Sequence, residues 1–318
     1  MFDCHYDLLT YIYMNKNDID MVKDYCKKVY NEDNIKGGIF NLFYMSEAEM
    51  KEEINVQKDE IDVIENLRLV KELINEYNLI PKGTKYVFGI EGLDYLKNIY
   101  DIDKLYELGL RSTNPVWSNK NKFGGGVKAE ENCGLTKLGE ELINKLVDTK
   151  IAIDLSHANE KTFYDIIEVC KKLKQKGKSP KIFASHSNAK ALCNVERNLT
   201  DEQIKQIKEM DGVIGVVSIK KFCCDKDINS KNVNYEQEYI NHINYFKELL
   251  GDVNNIAVSS DDMSYYYIQP EYYQNLNVYK HEEIAKKIKK GLIENNYTKE
   301  EIKKIMYKNI IDKVFKYL

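Results

Sequence analysis

Short runs rich in isoleucine, valine and phenylalanine alternate along the chain with longer stretches whose apolar residues recur at helical spacing. The short runs predict strands over Phe2–Asp7, Gly38–Tyr44, Tyr86–Glu91, Leu110–Trp117, Ile151–His157, Lys181–His186, Val213–Ile219 and Asn255–Asp261. The longer stretches predict helices. Ile61–Tyr77 shows the pattern clearly, and Thr136–Val147 opens on a capping threonine. Lys161–Lys176, Thr200–Met210 and Tyr235–Leu250 repeat it, and His281–Asn295 and Lys299–Tyr317 close the chain.

A strand followed by a helix, repeated eight times, predicts a parallel sheet closed into a (β/α)8 TIM barrel with extra C-terminal helices. Several strands are apolar on both faces, as expected when helices cover the outside and side chains fill the inside. An open doubly wound sheet is the weaker reading, because no glycine-rich phosphate turn follows the first strand. Gly124–Gly126 does not open a helix and reads as a flexible loop. With no linker and no repeat of fixed period, residues 1–318 read as a single barrel domain.

Composition narrows the partners. A net charge of −4 and a pI near 5.9 argue against nucleic acid. No window approaches the length of uncharged apolar residues that a membrane helix needs, and no secretion signal is visible, so no membrane is expected. Seven cysteines without a CxxC pair read as free thiols, which suits a cytoplasmic protein. Only Arg68, Arg111 and Arg197 are arginines among 47 basic residues. An arginine kept in a lysine background points to a need for a planar, bidentate donor.

In a barrel, catalytic groups come from the carboxyl ends of strands. His5, Asp7, Glu91, Trp117, His157, His186 and Asp261 all fall at such ends. His5 and Asp7 stand two apart, so alternation turns both to one face and turns Cys4 away from it. His242 and His281 lie in polar helical surroundings and share none of this context. Burying so many ionisable groups together without a metal would cost several kcal/mol each. Five or six nitrogen and oxygen ligands exceed what one open zinc site uses and suit two metals sharing a bridging carboxylate. The donor mixture favours Zn²⁺, with Mn²⁺, Co²⁺ or Fe²⁺ as alternatives.

The segments FDCHYDLL, GIEG, GLTKLGEELI, IAIDLSHAN, FASHSNAKALCNVERNLTDEQI and IAVSSDDM resemble, in order and spacing, successive motifs of the membrane (renal) dipeptidase family of metallopeptidases. The resemblance covers nearly the whole chain and is most specific from Phe183 to Ile204. It implies a metal-dependent hydrolase of the barrel type that cleaves dipeptides, L,L and also L,D, with two zinc ions per chain. His5 and Asp7 would hold one zinc, His157 and His186 the other, and Glu91 would bridge them. Asp261 would handle the proton, Arg197 would contact the substrate, and Arg111, which also matches, reads as structural. A metal-bridging hydroxide would attack the peptide carbonyl.

The chain departs from the family at the pocket. Trp117 stands where mammalian members carry a histidine, and an indole offers one N–H donor and no titration. SSDDMS replaces Gly-x-Asp-Phe-Asp-Gly, so Asp262 and Met263 should alter the wall beside Asp261. Two other readings stay open: another binuclear amide or lactone hydrolase on the same barrel, or a decayed barrel that binds a ligand. The tail helices and the tyrosine-rich stretch Tyr265–Tyr273 offer a surface for a homodimer.

Overall fold

Each of the eight apolar runs becomes one strand of one parallel sheet. The computed structural model describes residues 1–31, 34–44, 61–262 and 275–316. The strands are β1 (Phe2–Tyr6), β2 (Gly37–Phe43), β3 (Lys85–Glu91), β4 (Leu110–Asn114), β5 (Ala152–Asp154), β6 (Ile182–Ala184), β7 (Val213–Val217) and β8 (Ile256–Ser259). They pair in chain order, each parallel to the next. The ring closes between β8 and β1: Ser260 N donates to Asp3 Oδ1 at 2.9 Å and Asp261 N to the His5 carbonyl at 3.0 Å. This is the predicted (β/α)8 barrel.

Capping explains where the helices begin. Asp62 accepts from Ile64 N and Glu65 N ahead of Val63–Tyr77, and Thr136 accepts from Gly139 N ahead of Lys137–Thr149. Thr200 and Gln203 form a reciprocal capping box ahead of Asp201–Glu209. The helices Leu8–Met14, Ile19–Val29 and Ile102–Leu108 add to those that the pattern predicts. The predicted Lys299–Tyr317 helix is divided by a π-helical segment, Lys304–Lys308.

Inside the barrel, side chains stack in layers. The lowest layer is apolar: Phe2, Ile39, Val87, Ala152, Phe183, Val213 and Ala257 pack together with Ile310, Val314 and Phe315 from the tail. Phe315 lies 6.3 Å from the Phe2 ring and 6.0 Å from Phe183. The C-terminal helices thus plug the amino end of the barrel and leave the carboxyl end for chemistry. Two residues further along β2, β5 and β6, alternation brings Asn41, Asp154 and Ser185 inward as a buried polar layer.

Cys4 also sits in the inner cluster, which corrects the expectation that alternation turns it from the face of His5. The β1–β2 register shifts between Asp3 and Tyr6, and such an irregularity lets neighbouring residues face the same way. Cys4 is nonetheless packing, as expected: burial pushes its thiol well above the ordinary range. Gly124–Gly126 is not a loose loop but fully buried. A Cβ on Gly126 would stand 1.8 Å from the Trp117 carbonyl, so only glycine lets the two segments approach. Among the described residues no helix is long and apolar enough to cross a membrane. Met263 and Tyr265–Tyr273 lie outside the described residues.

Candidate metal centre

His5 and Glu91 close their strands' contribution to the rim, while Asp7, Trp117, His157, His186 and Asp261 stand one to three residues beyond the last ladder bond. The strands are therefore shorter than the sequence implied. After β5 and β8 the reason is backbone geometry: His157 (φ 70°) and Asp261 (φ 46°) adopt left-handed conformations that break the ladder. Such conformations in non-glycine residues are strained, and strain of this kind gathers at functional sites.

The five expected ligand residues converge. His5 Nε2 lies 3.4 Å from Asp7 Oδ1 and 3.4 Å from Glu91 Oε2. The other Glu91 oxygen, Oε1, lies 2.8 Å from His157 Nε2 and 3.3 Å from His186 Nε2. One carboxylate therefore faces two donor sets, one through each oxygen. Asp261 Oδ1 lies 4.0 Å from His5 Nε2, on the Asp7 side. His5, Glu91 and His186 form one cluster of metal-ligand spacing, and His5, Asp7 and Asp261 form another.

The donor atoms fit divalent cations. His5 Nε2 and Glu91 Oε1 are fully buried, yet neither makes a hydrogen bond. The outer imidazole nitrogens are engaged instead. His186 Nδ1 meets Ser185 Oγ at 2.6 Å, His157 Nδ1 meets Ser118 Oγ at 3.4 Å, and His5 Nδ1 meets Asn41 at 3.0 Å and Ser185 Oγ at 3.3 Å. All three rings thus direct Nε2 at the centre. Asn41 reaches its place because β3 has glycine opposite, where a Cβ on Gly89 would stand 1.9 Å from Asn41 Oδ1.

Electrostatics divides the cluster. Burial, with Arg197 adding, lowers His157 to about 4, and burial with His5 and Arg197 holds His186 well below the ordinary imidazole range. Both are neutral and offer lone pairs, as metal ligation requires. Burial also opposes charge on His5, but Glu91 and Asp7 outweigh it and hold that imidazole well above its usual value. Burial would raise Glu91, yet His5 and His157 keep it well below the usual carboxylate range. Burial raises Asp261 to about 7, against His5 and with Glu91 and Asp7.

Arg197 lies beside this cluster, donating from Nη2 to the His186 carbonyl at 3.1 Å, with its buried Nε unbonded. Trp117 lies 5.8 Å from the His157 ring, between it and Phe43 at 4.9 Å. Arg111 instead donates to the Tyr106 and Leu110 carbonyls, away from the cluster, which makes it structural.

Three expectations need correction. Asp262 does not wall the pocket. It is buried, with Oδ2 3.4 Å from His281 Nδ1 and 3.4 Å from Tyr25 Oη. His281 is equally buried and also lies 3.5 Å from Asp3 Oδ2. His242 is buried as well, accepting from Ala189 N at 3.1 Å and meeting the Cys223 carbonyl at 3.0 Å. Both imidazoles are held by tertiary contacts that local sequence does not display. The residues not foreseen are Asp154, Ser185 and Asn41. Their signal was a polar side chain inside an otherwise apolar strand run, which must find partners when buried.

Comparison with known proteins points to one family. Residues 1–317 match the model of the membrane dipeptidase family, peptidase family M19. An uncharacterised protein of Acinetobacter calcoaceticus is 38% identical over 142 residues, 42% of this chain and 42% of that protein. The dipeptidase aclJ of Aspergillus oryzae is 24% identical over 246 residues, 71% of this chain and 56% of that protein. The chain thus spans about half the length of the curated relatives it matches. A metallopeptidase of Rhodobacter sphaeroides, crystallised with a phosphinate mimic of the dipeptide L-Ala-D-Ala, superposes with a TM-score of 0.73 at 19% identity over 98% of both chains. That likeness supports the barrel fold.

Proposed function

Because the chain belongs to the membrane dipeptidase family, we propose that it is a metal-dependent dipeptidase working with two zinc ions at the carboxyl rim of its barrel. One observation carries this reading. The two oxygens of Glu91 reach separate donor sets, Oε2 toward His5 and Asp7 and Oε1 toward His157 and His186. A core carboxylate would be satisfied by hydrogen bonds, whereas Glu91 Oε1 and His5 Nε2 are buried without any.

His5 and Asp7 would hold one cation, His157 and His186 the other, and Glu91 would touch both. Two divalent cations held there would supply a water of lowered pKa, towards ~7, and a Lewis acid for the peptide carbonyl. The chain's own groups do the rest. Asp261, on the Asp7 side 4.0 Å from His5 Nε2, can take a proton from the attacking water and return it to the leaving amine. Its side chain is 13% exposed, against 1% for His5, so substrate can reach it. Arg197 is oriented by the His186 carbonyl and would face the negative charge of the substrate or of the attacked carbonyl. Trp117 supplies an apolar wall beside His157 and excludes water there. The dipeptide mimic held by the Rhodobacter sphaeroides relative makes L,L and L,D dipeptides the first substrates to test.

The convergence of all five ligand residues argues against a decayed barrel. The test is metal analysis of the purified protein with hydrolysis of an L,L and L,D dipeptide panel, before and after chelation. Hydrolysis that vanishes with the metal and returns on adding zinc supports the reading. Failure to cleave any dipeptide in the metal-loaded state overturns it.

A further inference from the structure

Two histidines of the candidate centre come from different strands and would serve different cations, yet one hydroxyl touches both. Ser185 Oγ lies 2.6 Å from His186 Nδ1 and 3.3 Å from His5 Nδ1. The same hydroxyl donates to Asp154 Oδ2 at 2.5 Å, while Asp154 Oδ1 accepts from Ser185 N at 2.9 Å and Ser156 N at 3.0 Å. All of these groups are buried.

A serine hydroxyl has one proton to give. Here the proton is committed to Asp154, whose carboxylate accepts and cannot donate while ionised. The Ser185 oxygen can then only accept from the two rings. A neutral His186 that donates to it must carry its proton on Nδ1, which leaves Nε2 as a lone pair. His5 Nδ1 also meets Asn41 Nδ2, which can only donate, so the hydroxyl does not fix that ring's tautomer. We propose that Ser185, aimed by Asp154, is a positioning residue that sets the metal-binding tautomer of His186.

The arrangement has an architectural cause. Asp154 ends β5, and Ser185 directly follows the adjacent strand β6, both in the polar layer beneath the rim. Ile153 and Asp154 pair in register with Ile182 and Phe183. Asp154 thereby reaches the turn after β6, where Ser185 stands beside the His5 and His186 rings, whose centroids are 3.9 Å apart. Hydrogen-bond partners of ligand histidines commonly change metal affinity ~10–100-fold when removed. Here the removal should act on the cation held by His186, while Asn41 Nδ2 still reaches His5 Nδ1.

The inference rests on the metal reading, and its test separates the two. Ring tautomers are read by nitrogen-15 NMR of histidine-labelled, metal-free protein, and Co²⁺ binding is read by its visible absorption. Native protein should show His186 protonated on Nδ1. Ser185→Ala should weaken one of the two Co²⁺ steps about 10–100-fold, with melting temperature as the folding control. Asp154→Asn keeps the shape but places an N–H₂ donor against the Ser185 oxygen. The serine hydroxyl must then turn its O–H toward His186 Nδ1, and the proton of that ring should move to Nε2. An unchanged His186 tautomer in Asp154→Asn, or two unchanged Co²⁺ steps in a folded Ser185→Ala, overturn the inference. Should Ser185→Ala not fold, Asp154→Asn decides alone. Native protein that binds no cation overturns the metal reading instead, and leaves the tautomer result to stand or fall by itself.

Discussion

The backbone N–H of Asp261 donates to the carbonyl of His5 at 3.0 Å, and their side chains meet 4.0 Å apart on the rim. The bond that closes the barrel is therefore the bond that sets the proposed proton-transfer group against the first metal ligand. Cation binding and proton handling share one seam of the fold.

Asp261→Asn should keep the seam, because the bond is made by the backbone. Cation content should remain near that of the native protein, while kcat falls by about 10²–10⁴, the usual contribution of a positioned acid–base group. Steady-state kinetics with metal analysis checks this. Native-like turnover in the variant would remove Asp261 from the mechanism.

Glu91 serves both halves of the centre, so Glu91→Ala should lower binding of both cations. His157→Ala should strike one half first. Metal stoichiometry after dialysis against dilute Zn²⁺ distinguishes them. If Glu91→Ala retained both cations, the bridging role would be wrong.

Arg197 holds the His186 carbonyl through one arm and leaves its buried Nε unbonded. A lysine has one compact charge and cannot reproduce that fork. Arg197→Lys should lower kcat/KM by about 10²–10³, the range seen when a charge-stabilising donor is lost. A change confined to thermal stability would assign Arg197 to the fold.

His242 gives a pH prediction. Burial lowers it to about 4, and its Nδ1 accepts from Ala189 N, which only the neutral ring can do. The unfolded chain binds a proton below ~6.5 that the folded chain refuses until about 4. Its stabilising contribution is therefore complete above ~6.5 and is lost as the pH falls from there towards 4, by roughly 3 kcal/mol. His242→Gln keeps an acceptor and a donor without titrating, so chemical denaturation across this range should fall less steeply for the variant. Parallel curves would contradict the assignment.

Asp262 and Asp3 flank the seam, and the His281 imidazole lies 3.4 Å from one and 3.5 Å from the other. His281→Leu would leave two buried carboxylates without it and should cost about 3–5 kcal/mol. Thermal melting measures this. A variant as stable as the native protein would show that the imidazole does not support the seam.

The rim was legible because its residues sit at the ends of apolar runs, and eight such runs in series leave a barrel as the simplest closure. His5, Asp7, Glu91, His157 and His186 could be named as a set for that reason. The layer beneath them was not legible in the same way. Asp154 and Ser185 matter through contacts between β5 and β6, and Asp262 turns from the pocket only because His281, distant in sequence, receives it. Strand ends were overestimated where His157 and Asp261 take left-handed backbone conformations, which no hydrophobic pattern reveals. Cys4 faces inward two residues after Phe2, and His5 joins it past a register shift that strict alternation cannot express.

The most direct test of the central claim is a titration of metal-free protein with Zn²⁺ while hydrolysis of L-Ala-L-Ala and L-Ala-D-Ala is followed. Activity should be absent at the start, rise with added zinc and saturate at about two equivalents per chain, as for other two-metal hydrolase centres. Hydrolysis by the metal-free protein, saturation at a single equivalent, or no hydrolysis with both equivalents bound would contradict the account.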